Sequence, residues 1–167
     1  VAASGGYYIS CGADYIVAQP NTITGSIGVV GVIPTAEELY RKAAAHVEVV
    51  EKGKWSHFFR FDKTMTAEQE KILLDLMDGI YRDFITHVAE GRNLAEPDVE
   101  AVASGRVWTG AQALDRHLVD ELGGVDAAIR KAQELAKVST DEVRIRYYPK
   151  EEPLLRFLRE RFGITLR

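Results

Sequence analysis

The stretch VAASGGYY, Val1–Tyr8, places a serine between small residues and two glycines. Such a sequence is typical of a tight turn that opens a helix, because small residues leave room for a crowded backbone. The hydroxyl is then exposed, and the N–H groups that follow can bind an anion. Ser4 is therefore a candidate nucleophile for acyl transfer, with the Gly5 N–H as a donor to the oxyanion. The alternative is that Ser4 only caps the short helix that Tyr7–Cys11 predicts.

The residues that follow alternate between strand and helix patterns. Tyr15–Ala18 predicts a short buried strand that ends before Pro20, because proline cannot continue the hydrogen-bonded ladder. Ala36–Ala45 has a helical composition, and Val47–Val50 is a β-branched run that predicts a strand. This order of elements predicts an α/β fold.

The clearest helix signal begins at Thr66–Gln69, which has the spacing of a capping box. Apolar residues then recur at helical spacing until Gly91, where we expect the helix to stop. Core packing is the first interpretation of this apolar stripe, and subunit packing is the alternative. The stripe consists of Leu73, Met77, Ile80, Phe84 and Val88.

A second capping signature, Thr109–Gln112, predicts a helix that ends near Leu118, and Val125–Lys137 predicts another. Trp108, just before the second cap, is interpreted as a packing anchor rather than a ligand. The alternating residues Val143–Tyr148 predict a strand, and Leu154–Phe162 predicts a helix. Three arginines on that last helix allow contact with a membrane surface, but a solvated face is the simpler interpretation.

A second serine lies in TITGSIGVVG, Thr22–Gly31, again between glycines. Taken alone, Ser26 is best interpreted as a solvent-facing turn residue. Together with VAASGGYY and the intervening Ala13–Pro20, however, this segment resembles the signal peptide peptidase A family of serine-lysine membrane proteases. The resemblance covers most of residues 1–137 at the family's spacing, and its further segments are Gly105–Gly110, Ala113-Leu114 and Leu118–Gly123.

The resemblance implies an α/β fold of the crotonase and Clp-protease type. Residues 1–137 would form the nucleophile-bearing half of a peptidase domain, and residues 138–167 a C-terminal strand and helix extension. Ser4 matches the family's nucleophile, and Ser26 matches the serine that orients the general-base lysine. The implied reaction is cleavage of released signal peptides and other hydrophobic or unfolded peptides at a membrane.

Further implications of the resemblance concern the whole protein. The family implies a homo-oligomer, and a membrane anchor outside these residues that leaves the catalytic domain outside the cytoplasm. Within the chain, no run of about 18 apolar residues predicts a transmembrane helix. Neither a cofactor nor a metal is expected.

The position of the base lysine departs from part of the family. In short-form members it lies downstream of the nucleophile, and the matching position here is Ser56. Lys52 and Lys54 lie close by, and Lys54 is the local candidate, with a solvated charge as its alternative. We therefore expect the chain to match the C-terminal half of a long-form enzyme and to be inactive alone. The lysine would come from an N-terminal half or a neighbouring subunit.

Composition limits the other classes of function. The chain has 167 residues, 46% of them hydrophobic, which is enough for one domain with a core. Its net charge of −4 argues against a nucleic-acid partner, because no basic face is available to neutralise phosphates. The single Cys11 is interpreted as a core residue. The four histidines, at positions 46, 57, 87 and 117, lack metal-ligand spacing, so no metal site is predicted.

The segment 54–63 concentrates aromatic residues among charges and is predicted to be a loop. It could line a hydrophobic cleft, contact a membrane surface or pack against a neighbouring subunit. Its aromatic residues are Trp55, Phe58, Phe59 and Phe61.

Two other functions stay open at this point. The chain could be a non-catalytic scaffold that has lost its base and contributes only to assembly or substrate capture. It could also be an acyl-CoA enzyme of the same fold, in which paired N–H groups hold a thioester enolate and Ser4 is not required.

Overall fold

A computed structural model describes residues 1–56, 58–139, 143–146 and 148. These residues form a mixed α/β structure, as the sequence predicts, and the chain divides into two compact units, Val1–Ala128 and Ile129–Arg167. The strands are β1 (Ala2–Ala3), β2 (Val17–Ala18), β3 (Ile23–Gly25), β4 (Val107–Thr109) and β5 (Glu121–Leu122). The helices are α1 (Gly5–Ser10), α2 (Glu37–Lys42), α3 (Ala67–Arg92), α4 (Glu96–Val102), α5 (Gly110–Leu114) and α6 (Val125–Ala136). Among the described residues, no helix is both long and apolar enough to cross a bilayer.

Two small sheets organise the first unit. In the first, β3 lies between β1, to which it is parallel, and β4, to which it is antiparallel. In the second, β2 pairs with β5 in parallel. Each parallel pair joins segments separated by other elements, because parallel strands need a crossover connection.

One hydrophobic cluster holds the helices against these sheets. Its fully buried side chains come from α1, α4, the β3 turn and the segment after α5, and the C-terminal half of α3 contributes several more. The cluster consists of Tyr7, Cys11, Ala18, Ile27, Phe84, Ile85, Val88, Ala89, Val99, Ala103, Ala113, Leu118 and Val119. The prediction that Cys11 belongs to the core is confirmed, since the residue has no exposed surface.

Helix α3 begins where its capping box predicts. The Thr66 side chain accepts a hydrogen bond from the Gln69 N–H, and the Gln69 side chain accepts one from the Thr66 N–H. Of the apolar stripe, Phe84 and Val88 are buried, whereas Ile80 is 47% exposed. Core packing is therefore confirmed for the C-terminal half of the stripe.

The end of α3 corrects the role predicted for Gly91. The helix continues through Gly91 to Arg92 and ends at Asn93, which adopts the left-handed conformation. Gly91 is needed for a different reason, because a Cβ atom there would lie 2.4 Å from the carbonyl oxygen of Cys11. Because Gly91 has no side chain, the backbone of α3 can contact the backbone at the end of α1 directly.

Other local predictions are confirmed with small changes in bounds. The capping box at Thr109 and Gln112 begins α5, which ends at Leu114 rather than near Leu118. Helix α6 ends one residue before the predicted Lys137. The described residues of segment 54–63 lie in turns and bends, as predicted for a loop.

Two strand predictions differ from the structure, and three short elements lack a prediction. The strand predicted at Val47–Val50 is wrong: these residues are exposed and have no strand partner, so β-branched composition alone does not form a strand. Val143–Arg146 is likewise not a strand, and the predicted helix at 154–162 lies outside the described residues. The short elements α4, β4 and β5 carry weak local signals and were not predicted.

We expect Gly91→Ala to lower the free energy of unfolding by about 1–3 kcal/mol, because its methyl group would overlap the Cys11 carbonyl. Gly79→Ala is the matched control on the same helix, since a Cβ there meets nothing within 4 Å. That change should stabilise the protein by up to ~1 kcal/mol through helix propensity. Urea denaturation of both variants measures the difference. Equal effects of the two substitutions would contradict the close approach of α3 and α1.

Candidate functional site

Ser4 forms the turn between β1 and α1 in a conformation that non-glycine residues rarely adopt. Its φ is 53° and its ψ is −121°. A residue in such a region costs about 1–3 kcal/mol and persists only where its surroundings hold it. The Ser4 N–H donates to the Gly25 carbonyl at 2.8 Å, and the Ser4 carbonyl accepts from the Tyr8 N–H at 2.9 Å. The residue is exposed, as a nucleophile at a strand-to-helix turn must be.

The N-terminus of α1 supplies the N–H group predicted as an oxyanion donor. Gly5 is the first residue of the helix, so its N–H has no acceptor within the helix. A Cβ atom at Gly5 would meet nothing within 4 Å, so the space beside the Gly5 Cα is open. The Ser4 side chain makes no capping hydrogen bond to α1. Ser4 is the N-cap residue of α1 by position, but the alternative in which its side chain caps the helix is wrong.

Ser26 follows β3 just as Ser4 follows β1. Its φ is 52°, and its N–H donates to the Arg106 carbonyl at 2.7 Å. Because Ala3 pairs with Gly25 in the parallel register, the two serines leave neighbouring strands at the same edge of the sheet. Parallel strands present their carboxyl ends together, which is where binding sites form in open α/β sheets.

Two close contacts, one with backbone and one with a side-chain ring, hold the Ser26 turn in place. A Cβ atom at Gly28 would lie 2.8 Å from the Gly105 nitrogen, and the Gly105 N–H donates to the Ile27 carbonyl at 2.9 Å. On the other side, a Cβ atom at Gly25 would lie 2.7 Å from Cδ1 of Trp108. Glycines at these positions let the turn pack directly against the segment before β4.

Trp108 is a packing anchor for this arrangement, as predicted. Its indole N–H donates to the Val102 carbonyl at 2.9 Å, and the Arg116 guanidinium lies 3.8 Å from its ring centroid. The ring therefore joins the end of α4 to β3 and to the segment after α5. The role of Trp108 is therefore structural: its hydrogen bond and its ring contacts link these three segments.

Ser4 and Ser26 line one cleft of about 690 Å³. One wall is formed by α3 through Leu74, Met77 and Tyr81, which share a face of the helix. The other described lining residues are Gly28, Val29, Val30, Asp78, Glu100, Ser104 and Gly105. The cleft thus combines an apolar wall with two carboxylates, and none of its described lining residues is a lysine.

The local candidate for the base lies in another part of the surface. The Lys54 ammonium pairs with Glu68 at 2.7 Å and lies 4.6 Å from the Trp55 ring centroid, and both charged side chains are well exposed. Lys54 lines a separate cleft of about 160 Å³ with Phe58 and Arg60. At the position that matches the family lysine, the Ser56 hydroxyl donates to the Gly53 carbonyl at 2.8 Å.

Sequence reasoning identified both serines but missed most of the cleft. The spacing of Leu74, Met77 and Tyr81 on α3 was a signal that could have found the apolar wall, since these residues recur every three or four positions. Ser104 and Gly105 carried no comparable signal, because only the pairing of their turn with the Ser26 turn brings them to the cleft.

Cysteine and histidine are two other residue types in the chain that commonly carry site chemistry. Burial raises the pKa of the Cys11 thiol at the C-terminal end of α1, which favours the protonated form over the nucleophilic thiolate. Within the described residues, no group of three or more His, Cys, Asp or Glu side chains could hold a metal ion. His57 lies outside those residues.

Comparison with known proteins gives a consistent set of relatives. "Putative protease slr0021" of Synechocystis sp. is 39% identical over 158 residues, which is 95% of this chain and 57% of that protein. Protease 4 of Salmonella typhi is 39% identical over 155 residues, 93% of this chain and 25% of that protein. The chloroplastic serine protease SPPA of Arabidopsis thaliana is 37% identical over 139 residues, 83% of this chain and 20% of that protein.

The chain thus spans less than two thirds of the length of each of these relatives. The model of one protein family, described as peptidase family S49, matches residues 1–139. These residues include both serine turns, α3 and the segments that complete the cleft. Since this match covers most of the 167 residues, the chain belongs to peptidase family S49.

Proposed function

We propose that this chain carries the nucleophile of a serine-lysine endopeptidase. The observation that supports the proposal most directly is the pairing of Ala3 with Gly25, which brings the strained Ser4 turn and the Ser26 turn to one cleft. The family and the name of the Arabidopsis relative agree with a serine nucleophile. The mixed α/β structure is compatible with the proposed crotonase and Clp-protease type of fold.

In the proposed mechanism, the Ser4 hydroxyl attacks the peptide carbonyl carbon while a neutral lysine amine accepts its proton. The Gly5 N–H donates to the oxyanion that develops on the carbonyl oxygen. The lysine then returns the proton to the leaving amine, and water cleaves the acyl-enzyme ester in a second step of the same kind. Ser26 would hold the amine toward Ser4, as the carboxylate orients the histidine in other serine hydrolases.

The lysine must be supplied from outside this chain in our proposal. No described residue that lines the cleft is a lysine, and Lys54 pairs with Glu68 elsewhere. A lysine amine is normally protonated at neutral pH, with a pKa of about 10.4, so the base needs a site from which water is excluded. An N-terminal half of a long-form enzyme, or a neighbouring copy in a homo-oligomer, could cover the open cleft and bring the amine to Ser26.

The cleft also suggests the substrates. Its apolar wall of Leu74, Met77 and Tyr81 suits hydrophobic side chains of an extended peptide. We propose cleaved signal peptides and other hydrophobic or unfolded peptides as substrates, with the full protein anchored in a membrane and its catalytic domain on the extracytoplasmic side. Hydrophobic segments become accessible to a peptidase at such a membrane surface.

Covalent labelling tests this function. A fluorophosphonate probe should add one label to Ser4 of the full-length gene product and none to its Ser4→Ala variant, as measured by intact mass and peptide mapping. The isolated 167-residue chain should label at least 100-fold more slowly, because general-base assistance contributes about 10²–10⁴-fold.

Other outcomes of that experiment have definite meanings. Equal labelling of the isolated chain would show that a lysine within it, or in a second copy, serves as the base. Absence of Ser4 labelling in the full-length product, with unchanged folding, would reject the peptidase mechanism in favour of a scaffold that has lost its base.

The role of Ser26 predicts an effect on the pH profile. A hydroxyl that donates to the neutral amine lowers the pKa of the lysine, and labelling depends on the neutral form, so its rate rises with pH. Ser26→Ala should therefore shift the midpoint of the rate profile to higher pH and lower the rate at pH 7 by about tenfold or more.

Ser104→Ala is the matched control, because Ser104 lines the same cleft and also has a positive φ of 57°. Its profile should stay that of the wild type. The same shift in both variants would count against a specific role for Ser26.

A further inference from the structure

A chain of buried contacts extends from the nucleophile turn to the C-terminal end of α3. Tyr7 lies three residues after Ser4, on the first turns of α1, and is only 1% exposed. Its hydroxyl donates to the Leu118 carbonyl at 2.7 Å, across 111 positions of sequence. A tyrosine hydroxyl ordinarily has a pKa of about 10, and burial raises the pKa of Tyr7 further, so the group is protonated and a donor at neutral pH.

The acceptor of that hydrogen bond is itself held firmly. Leu118 is fully buried, and its N–H donates to the Ala113 carbonyl at 2.9 Å. The preceding His117 adopts a left-handed conformation with a φ of 58°, which turns the chain sharply after α5. The position of the Leu118 carbonyl therefore depends on what stabilises this turn.

Arg92, the last residue of α3, stabilises this turn. Its side chain is 7% exposed, its Nε donates to the His117 carbonyl at 3.1 Å, and its guanidinium pairs with Asp120. The second carboxylate oxygen of Asp120 accepts the Ile16 N–H at 2.7 Å. The planar guanidinium with its several donors can hold both partners at once, which a lysine ammonium on a flexible stem does less rigidly.

Helix α1 needs such support. It has six residues, too few to be stable by itself, and it must keep Ser4 in a sparsely populated backbone conformation. The hydrogen bond from Ser4 to Gly25 holds the turn on its strand side. The Tyr7 hydroxyl is the corresponding polar contact on the helix side.

We propose that Tyr7 is a positioning residue for the nucleophile, and that Arg92 acts through the Leu118 turn to hold Tyr7 in place. This inference rests on the proposed role of Ser4. Neither side chain is among the residues that line the cleft, so both act on Ser4 through α1. Without the hydroxyl, α1 can move relative to β3, and the Ser4 oxygen loses its alignment with the Gly5 N–H and the incoming carbonyl.

Tyr7→Phe tests this role with little change in volume. In the full-length gene product, we expect the rate constant for fluorophosphonate labelling of Ser4 to fall about 10- to 100-fold, because a displacement of about 1 Å can have effects of this size. The labelled fraction after long incubation should equal that of the wild type. The midpoint of the pH profile should not move, because the base and Ser26 are unchanged.

Tyr8→Phe is the matched control on the same helix. It keeps the ring contacts to Phe84 and His87, and its labelling rate should match the wild type. Arg92→Lys provides a second variant that retains the charge opposite Asp120 but loses the Nε donor to His117. We expect a smaller decrease in rate, again with full labelling.

The outcomes separate the two proposals. If the wild type labels at Ser4 and both Tyr7→Phe and Arg92→Lys label at the wild-type rate, the positioning role is wrong. The positioning role would also be overturned if the rate constant is unchanged and the labelled fraction falls in proportion to the fraction of unfolded protein. Both residues would then only support the fold. If the wild type itself does not label at Ser4, the proposed peptidase function fails.

Discussion

The parallel pairing of β1 with β3 is the constraint on which the candidate site depends. Its register places Ala3 opposite Gly25, and the Ser4 N–H donates to the Gly25 carbonyl immediately beyond the pair. Since both strands run in the same direction, the serine that follows each strand emerges at the same edge. A shift of register by one residue would reverse the face that each side chain occupies and would separate the two hydroxyl groups.

Close backbone contacts give the site its second constraint. At Gly25, Gly28 and Gly91, an added Cβ atom would lie less than 3 Å from a neighbouring atom. The turn that carries Ser26 therefore packs against backbone and against the Trp108 ring, and the C-terminal end of α1 packs against the backbone of α3. Such contacts restrict the movement of both segments, and the proposed stabilisation of an oxyanion requires donors in fixed directions.

Short-range signals account for the elements that could be predicted. Reciprocal capping at Thr66 and at Thr109 begins α3 and α5, and the glycine-flanked Ser4 marks the turn before α1. The valine-rich segment 47–50 shows the limit of such signals, because strand formation requires a partner that composition does not supply. For strands β4 and β5, by contrast, the local sequence gives little indication of a strand. These segments become strands because β4 pairs with β3 and β5 pairs with β2.

The sequence by itself determined the α/β character, the starts of α3 and α5 and the two glycine-flanked serines, because these depend on residues a few positions apart. Its motifs also indicated the family, because a family is recognised by residue identities at a fixed spacing. Only the tertiary structure decided that Ser4 and Ser26 share a cleft, that Gly91 serves contact rather than termination, and that Tyr7 reaches Leu118. These features depend on register and on helix packing, where atoms more than twenty positions apart in the chain are brought within hydrogen-bond or van der Waals distance.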